Sequence, residues 1–306
     1  MQTKKIGSLD VTVVGLGTNN FGMMDETVGP VVDRAIETGI NFFDTSDSYG
    51  PSEERLGKAL KGKRDRVLIA TKFGSPVGES QGGASPAHIH QQIDRSLRAL
   101  DTDHIDLYQL HRPDPTVPLA ETLGALAELV AAGKVREIGC SNFSAALIQE
   151  AADAGAEGAP QFVSVQNHYS LLRRDDESDA MAECERRGLA YLPYFPLESG
   201  LLTGKYRRGE AAPEGTRMHR WGERAAGTLS DRNFDIVDAL SGWAKDNGHS
   251  ILELAIAWLI AKPVVASVIA GATKPEQVSA NAAAARWELS EEQAAEVAAI
   301  ADKAAG

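Results

Sequence analysis

Short apolar runs, most of them apolar on consecutive positions, alternate along the chain with longer stretches in which apolar residues recur every three or four positions. The short runs are Val11–Leu16, Ile40–Asp44, Val67–Thr71, Ile105–Leu110, Glu137–Cys140, Phe162–Gln166, Ala190–Tyr194 and Ser267–Ala270. A strand covered on both faces is apolar at successive positions, so these read as strands of a parallel sheet. Ile89, Ile93, Leu97 and Leu100 show the other period, as do Leu119, Leu123, Leu126 and Val130. That spacing lays one apolar stripe along a helix. Eight strand–helix alternations predict an α/β fold of the (β/α)8 TIM-barrel type. The rival is an open doubly wound sheet. No low-complexity linker or compositional break divides residues 1–306, so one barrel domain is expected.

Boundary signals agree with this pattern. Ser52 precedes Glu53 and Glu54, whose charges suit a helix N-terminus. Ser85-Pro86 puts proline in a first turn. Ser290 with Gln293, and Thr273 with Glu276, have the spacing of a capping box. Gly39, Gly133 and Gly188 stand where helices should end. Two segments exceed the barrel plan. Lys4–Thr12 predicts a short hairpin closing the bottom, and Thr203–Asn233 predicts a long loop after strand seven. Long loops on the C-terminal face of a barrel often shape access to a site.

Composition narrows the class. A chain of 306 residues with 43% hydrophobic residues can bury a large core. A formal net charge of −12 disfavours nucleic-acid backbones and anionic membranes as partners. Cys140 and Cys184 are the only cysteines, and no metal-ligand spacing is present. That pattern, with an N-terminus lacking a signal-peptide apolar core, predicts a cytoplasmic protein. The most hydrophobic window, 251–272, is broken by Glu253, Lys262 and Pro263 and reads as a buried helix and strand. No protein partner is implied.

Against this background, Asp44, Lys72 and His111 stand where apolar runs stop, and Tyr49 follows just past the first of them. Strand ends open onto the C-terminal mouth of a barrel. Each residue alone has a structural explanation, as a loop cap, a rim aromatic, a paired lysine or a turn histidine. Together they form a proton-transfer set. A phenol is a weak acid, with a reference pKa of ~10. A neighbouring ammonium favours its ionised form, a carboxylate holds the ammonium, and an imidazole can orient a carbonyl oxygen. The set suits protonation of a developing alkoxide. No side chain supplies hydride, so a nicotinamide cofactor is implied.

These residues resemble the aldo-keto reductase family over nearly the whole chain, from Ile6 to about Asn281. The segment from Asp44 to Tyr49-Gly50, Ala70-Thr71-Lys72 and Leu110-His111 are similar to its aspartate–tyrosine, lysine and histidine segments. Gly133-Lys134-Val135-Arg136-Glu137-Ile138-Gly139-Cys140-Ser141-Asn142-Phe143 resembles a highly specific family stretch. The resemblance implies NADPH-dependent reduction of an aldehyde or ketone. Tyr49 would be the general acid, Lys72 and Asp44 would tune it, and His111 would orient the small-molecule carbonyl substrate.

The resemblance also implies cofactor positions. Gly17, Thr18 and Asn19 would touch the nicotinamide end. Ser141, Asn142 and Gln166 would hold its carboxamide, and Tyr194 would stack on the ring. Tyr194, Phe195, Pro196, Leu197, Ser199 and Lys205 belong to a stretch similar to a pyrophosphate-covering loop. Gly271, Thr273, Lys274, Gln277 and Asn281 open a helix and would face a 2′-phosphate and adenine, which favours NADP over NAD. Many members carry arginine where Gln277 stands and glutamate where Ala280 stands, so Lys274 alone would pair with the phosphate. His168 replaces a frequent acid, and the sequence offers no account of it.

Two other readings compete. Lys72 could form a Schiff base as in barrel aldolases, although Asp44 beside it opposes a neutral amine. A catalytically weak NADPH-binding regulator of the channel beta-subunit type shares the fold. A Rossmann dehydrogenase is disfavoured, because Gly15-Leu16-Gly17-Thr18-Asn19-Asn20 does not complete a dinucleotide fingerprint. Substrate specificity should lie in 203–233, in Asn20-Phe21 and in 75–85, with Met218 and Trp221 as candidate pocket liners.

Overall fold

The computed structural model describes residues 1–24, 27–76 and 82–306. Among these residues ten strands form: β1 (Thr3–Ile6), β2 (Leu9–Thr12), β3 (Val14–Gly17), β4 (Phe42–Asp44), β5 (Leu68–Phe73), β6 (Ile105–Leu110), β7 (Val135–Ser141), β8 (Phe162–His168), β9 (Ala190–Tyr194) and β10 (Val268–Gly271). β3 to β10 close a parallel barrel, with β10 pairing β3 and completing the ring. This is the (β/α)8 architecture that the alternating periods predict.

The run Val11–Leu16 divides into two strands. β1 and β2 form an antiparallel hairpin, and β3 is the first barrel strand. Asn41 explains the break. Its Oδ1 accepts from the Thr12 amide at 2.8 Å, and its own amide donates to Thr12 Oγ1 at 3.1 Å. A continuous apolar run carries no signal for that corner. The hairpin inserts Ile6, Leu9 and Val11 beneath Phe42, Ala70, Leu107, Leu192 and Ile269, forming an apolar floor inside the barrel. Lys4 fastens the hairpin: its ammonium donates to the carbonyls of Ile260, Lys262 and Val265 at 3.1, 3.1 and 2.7 Å.

A larger apolar layer lies between the barrel wall and its helices. The helix Pro86–Leu100 starts as expected, with Ser85 as N-cap accepting from the His88 amide. Ser290 and Gln293 complete a capping box on the helix Glu291–Ala304. Thr273 does not cap. The helix Pro275–Ala284 has Lys274 at its N-cap without a side-chain bond. Instead, the Thr273 amide and hydroxyl both donate to Gln277 Oε1, at 2.8 and 3.2 Å. Between β9 and β10 the segment 203–233 carries a short helix, Arg217–Trp221, before the longer helices Asp231–Asp246 and Ile251–Ile260. Among the described residues no helix is long and apolar enough to cross a membrane.

Candidate active site

Side chains on a strand alternate in direction, so interior residues climb the barrel wall in steps of two. Two positions above Phe42, Ala70, Leu107 and Leu192 stand Asp44, Lys72, Gln109 and Tyr194. Ser141 and Gln166 join them at the same level, paired in register between β7 and β8. A polar layer thus lies directly on the apolar floor.

Lys72 is fully buried in this layer. Its ammonium donates to Asp44 Oδ1 and Oδ2 at 2.7 and 2.6 Å and to the Thr45 carbonyl at 2.8 Å. It also lies 5.3 Å from the centre of the Tyr49 ring, near enough for each group to shift the ionisation of the other. Burial lowers the Lys72 pKa, but Asp44 and Tyr49 outweigh it and raise it overall. The lysine is therefore a fixed cation. Tyr49 differs from the sequence expectation of an acidified phenol. Burial raises its pKa more than Lys72 lowers it, so the net direction is upward and the hydroxyl keeps its proton.

His111 completes the set. Burial, then the charges of Lys72 and Arg112, lower its pKa to about 3, so the imidazole is neutral. Its Nδ1 faces Ser46 Oγ at 3.2 Å and Ser48 Oγ at 3.4 Å. Ser46 Oγ donates to Asp47 Oδ1, and Gln92 Nε2 donates to Asp47 Oδ2 at 2.7 Å. Among the described residues Nε2 has no protein partner, and the ring lines the cavity.

The amide residues are knitted to the same centre. Gln166 Nε2 donates to Asp44 Oδ1 at 2.8 Å, and Gln109 Nε2 reaches the same oxygen at 3.3 Å. Ser141 Oγ donates to the Gln166 carbonyl at 2.6 Å, and Asn142 Nδ2 donates to the His111 carbonyl at 2.9 Å. The Tyr194 hydroxyl donates to Asn142 Oδ1 at 2.8 Å. Gln109 was missed by sequence reasoning. Its signal was present: it follows Leu107 by two in an apolar strand and precedes His111 by two.

Above the polar layer opens a cavity of about 940 Å³. Asp44, Tyr49 and His111 line one part, with Ser48, Ser75 and Arg112 nearby in the lining. Gly17, Thr18, Asn19, Ser141, Asn142, Gln166 and Tyr194 line it too, as do Phe195, Pro196, Leu197, Ser199, Lys205, Gly271, Thr273, Lys274, Gln277 and Asn281. The structure therefore brings every candidate position to one cavity, with Lys72 just beneath it.

The specificity residues fare differently. Asn20 lines the cavity, but Phe21 is fully buried in the core. Met218 is buried away from the cavity, and Trp221 is a partly exposed surface residue that does not line it. Their short helix presents Arg217 and Arg220 instead, three positions apart and therefore on one face. Ser75 lines the cavity, while residues 77–81 of the 75–85 segment lie outside the described residues.

Arg217 reaches across the mouth. Its Nη2 donates to Asn19 Oδ1 at 3.0 Å and Asn20 Oδ1 at 2.9 Å, and its guanidinium lies 5.0 Å above the Phe195 ring. Burial, then the charge of Arg220, lowers its pKa. Among the described residues no carboxylate forms an ion pair with Arg217, Lys205 or Lys274, although Glu214 and Glu276 share the lining. Arg217 is a largely desolvated cation without a counter-charge, and the exposed Lys205 and Lys274 add positive charge to the same lining, which together make a site for an anionic ligand. This donor set fits an anionic dinucleotide cofactor.

A closed barrel with a phenol, an ammonium and an imidazole at its C-terminal mouth defines a class of barrel oxidoreductase. The chain belongs to the aldo/keto reductase family, whose profile matches residues 13–302. It is 35% identical over 297 residues to aldo-keto reductase YhdN of Bacillus subtilis (strain 168), covering 93% of this chain and 88% of that protein. It is 32% identical over 280 residues to the L-glyceraldehyde 3-phosphate reductase of Escherichia coli O157:H7, covering 86% and 80%. Among solved structures, the glycerol dehydrogenase AKR11B4 from Gluconobacter oxydans superposes with a TM-score of 0.86 at 29% identity, covering 99% and 95% of the two chains. The holo form of aldo-keto reductase AKR11C1 from Bacillus halodurans gives 0.81 at 30% identity, covering 100% and 97%.

Proposed function

We propose that the protein is an NADPH-dependent carbonyl reductase in which Tyr49 is the general acid. When bound, NADPH supplies the hydride. The chain's own residues do the rest. His111 offers Nε2 to the carbonyl oxygen and fixes its direction. Tyr49 passes its hydroxyl proton to that oxygen as negative charge develops there, giving the alcohol. Lys72 then faces the phenolate and stabilises it, and Asp44 keeps Lys72 in place and charged. The apolar floor excludes water from below, which strengthens these contacts.

The observation that carries this reading is the Tyr49–Lys72–Asp44 cluster at the floor of a cavity lined by Lys205, Arg217 and Lys274, none of which has an ion-pair partner among the described residues. Ser141, Asn142 and Gln166 are assigned to the carboxamide and Tyr194 to the nicotinamide face. Lys205 and Arg217 are assigned to the diphosphate. Thr273 and Lys274 are assigned to the 2′-phosphate, with Gln277 and Asn281 toward the adenine. A Schiff-base role for Lys72 requires a neutral amine, and its raised pKa opposes that. The buried free thiols of Cys140 and Cys184 agree with a cytoplasmic setting.

The substrate is proposed to be a small aldehyde or ketone. The names of the Escherichia coli and Gluconobacter proteins make three-carbon hydroxylated carbonyls the first compounds to try. NADPH oxidation followed against such a panel, beside NADH, tests the proposal. Turnover with NADPH supports it, and absence of turnover with every carbonyl overturns it.

A further inference from the structure

The residue that sequence reasoning left unexplained, His168, stands behind the ring assigned to the nicotinamide. Its imidazole stacks on Tyr194, with centres 5.3 Å apart and planes 23° apart, and meets the edge of Phe195 at 5.4 Å. The opposite side of His168 is also fixed. Arg173 Nη1 lies 3.2 Å from Nδ1, and a guanidinium can only donate. The ring proton therefore belongs on Nε2, which donates to Glu198 Oε1 at 2.9 Å. Ser170 Oγ donates to the same oxygen at 2.6 Å. Two residues of the β8 end thus hold one carboxylate of the loop that follows β9.

That loop pays a conformational cost. Phe195, Glu198 and Ser199 have φ of 51°, 44° and 54°, a region that glycine adopts freely and L residues avoid. A glycine at 198 would make the turn without strain, yet a glutamate stands there, nearly buried and bonded. Strain kept at such a point signals a requirement for the side chain. Resting on the cofactor reading above, we propose that His168 and Glu198 are positioning residues that clip the 195–205 loop to β8 and back the Tyr194 ring. Their pairing sets how fast the cofactor leaves. Tyr194 is then held on three sides: Asn142 at its hydroxyl, His168 behind, Phe195 at its edge.

Stopped-flow measurement of NADPH release, with thermal melting of the same samples, tests this on wild type, Glu198→Gly, His168→Ala and the double variant. Glu198→Gly relieves the backbone, so it should melt at or above the wild-type temperature while releasing NADPH about tenfold faster, a change of about 1.4 kcal/mol. His168→Ala should show a similar acceleration. The double variant should release no faster than the quicker single variant, because both act through one contact. Unchanged release from folded Glu198→Gly, or two accelerations that multiply, overturns the proposal. Marked loss of melting temperature in Glu198→Gly assigns the residue to fold stability and also overturns it. A wild-type protein that binds no NADPH overturns the cofactor reading, and this proposal with it.

Discussion

Gln166 on β8 donates to the same Asp44 oxygen that Lys72 holds from β5, so the carboxylate is gripped from opposite walls of the barrel. Its geometry is fixed before any ligand arrives, and Lys72 inherits that rigidity. Replacing Asp44 by asparagine leaves a buried ammonium without counter-charge. Breaking a buried pair in this way costs roughly 3 kcal/mol of stability. Asp44→Asn should show that loss in denaturant unfolding and a fall in kcat of about a hundredfold or more. Wild-type values for both would refute the assigned role.

Tyr49→Phe removes one oxygen and little else, because the ring stays beside Lys72 and in edge contact with His111 at 5.8 Å. General acid catalysis contributes roughly 10²–10⁴-fold, so kcat should fall within that range. NADPH affinity, measured by fluorescence titration, should change less than about threefold, under 0.7 kcal/mol. Retention of near-full turnover would remove Tyr49 from the mechanism.

Glu53 should make stability depend on pH. It is buried on the helix Ser52–Ala59, where Thr71 Oγ1 donates to it at 2.6 Å. Burial raises its pKa to about 7 from the ordinary 4.5, against the opposing bond from Thr71. The folded state therefore holds this proton more tightly than the unfolded chain. Its stabilising contribution is full below about pH 4.5 and is lost as pH rises through about 7. The gap corresponds to roughly 3 kcal/mol. Unfolding free energies at pH 5 and pH 8 should differ less in Glu53→Gln than in wild type. An identical pH dependence in both would show that Glu53 ionises freely.

Arg217 and Lys274 should separate two parts of cofactor binding. Arg217→Met removes a desolvated charge assigned to the diphosphate, so NADPH and NADH should both weaken by about tenfold. Lys274→Ala should weaken NADPH by about tenfold and leave NADH nearly unchanged. Isothermal titration with the two cofactors measures both. Equal losses in Lys274→Ala would move the 2′-phosphate away from that residue.

Where the chain repeats a pattern, the sequence disclosed the structure. Mostly apolar runs located the eight barrel strands, with the first run straddling β2 and β3, and polar residues ending three of them located the mouth. Contacts between residues far apart in sequence stayed hidden. The corner at Val13 depends on Asn41, 29 positions from Thr12. At shorter range, Gln277 rather than Glu276 meets Thr273, because Lys274 and not Thr273 is the N-cap of the helix Pro275–Ala284. In the helix Arg217–Trp221 the large apolar residues drew attention, yet Met218 turns to the core and Arg217 turns to the cavity. A helix of five residues is too short for periodicity to reveal its faces. Tyr49 shows a different limit. Its charged neighbour was legible, but the burial that outweighs that neighbour was not.

Lys4 joins the β1–β2 hairpin to carbonyls 256 to 261 positions later. The ring itself also closes late, when β10 reaches β3. During synthesis the hairpin must therefore wait for its fastening until most of the chain has left the ribosome. Until then β3 and β9 present unpaired edges. A chain ended before residue 268 is expected to associate through those edges, and a monomeric, soluble form of it in sedimentation would contradict this.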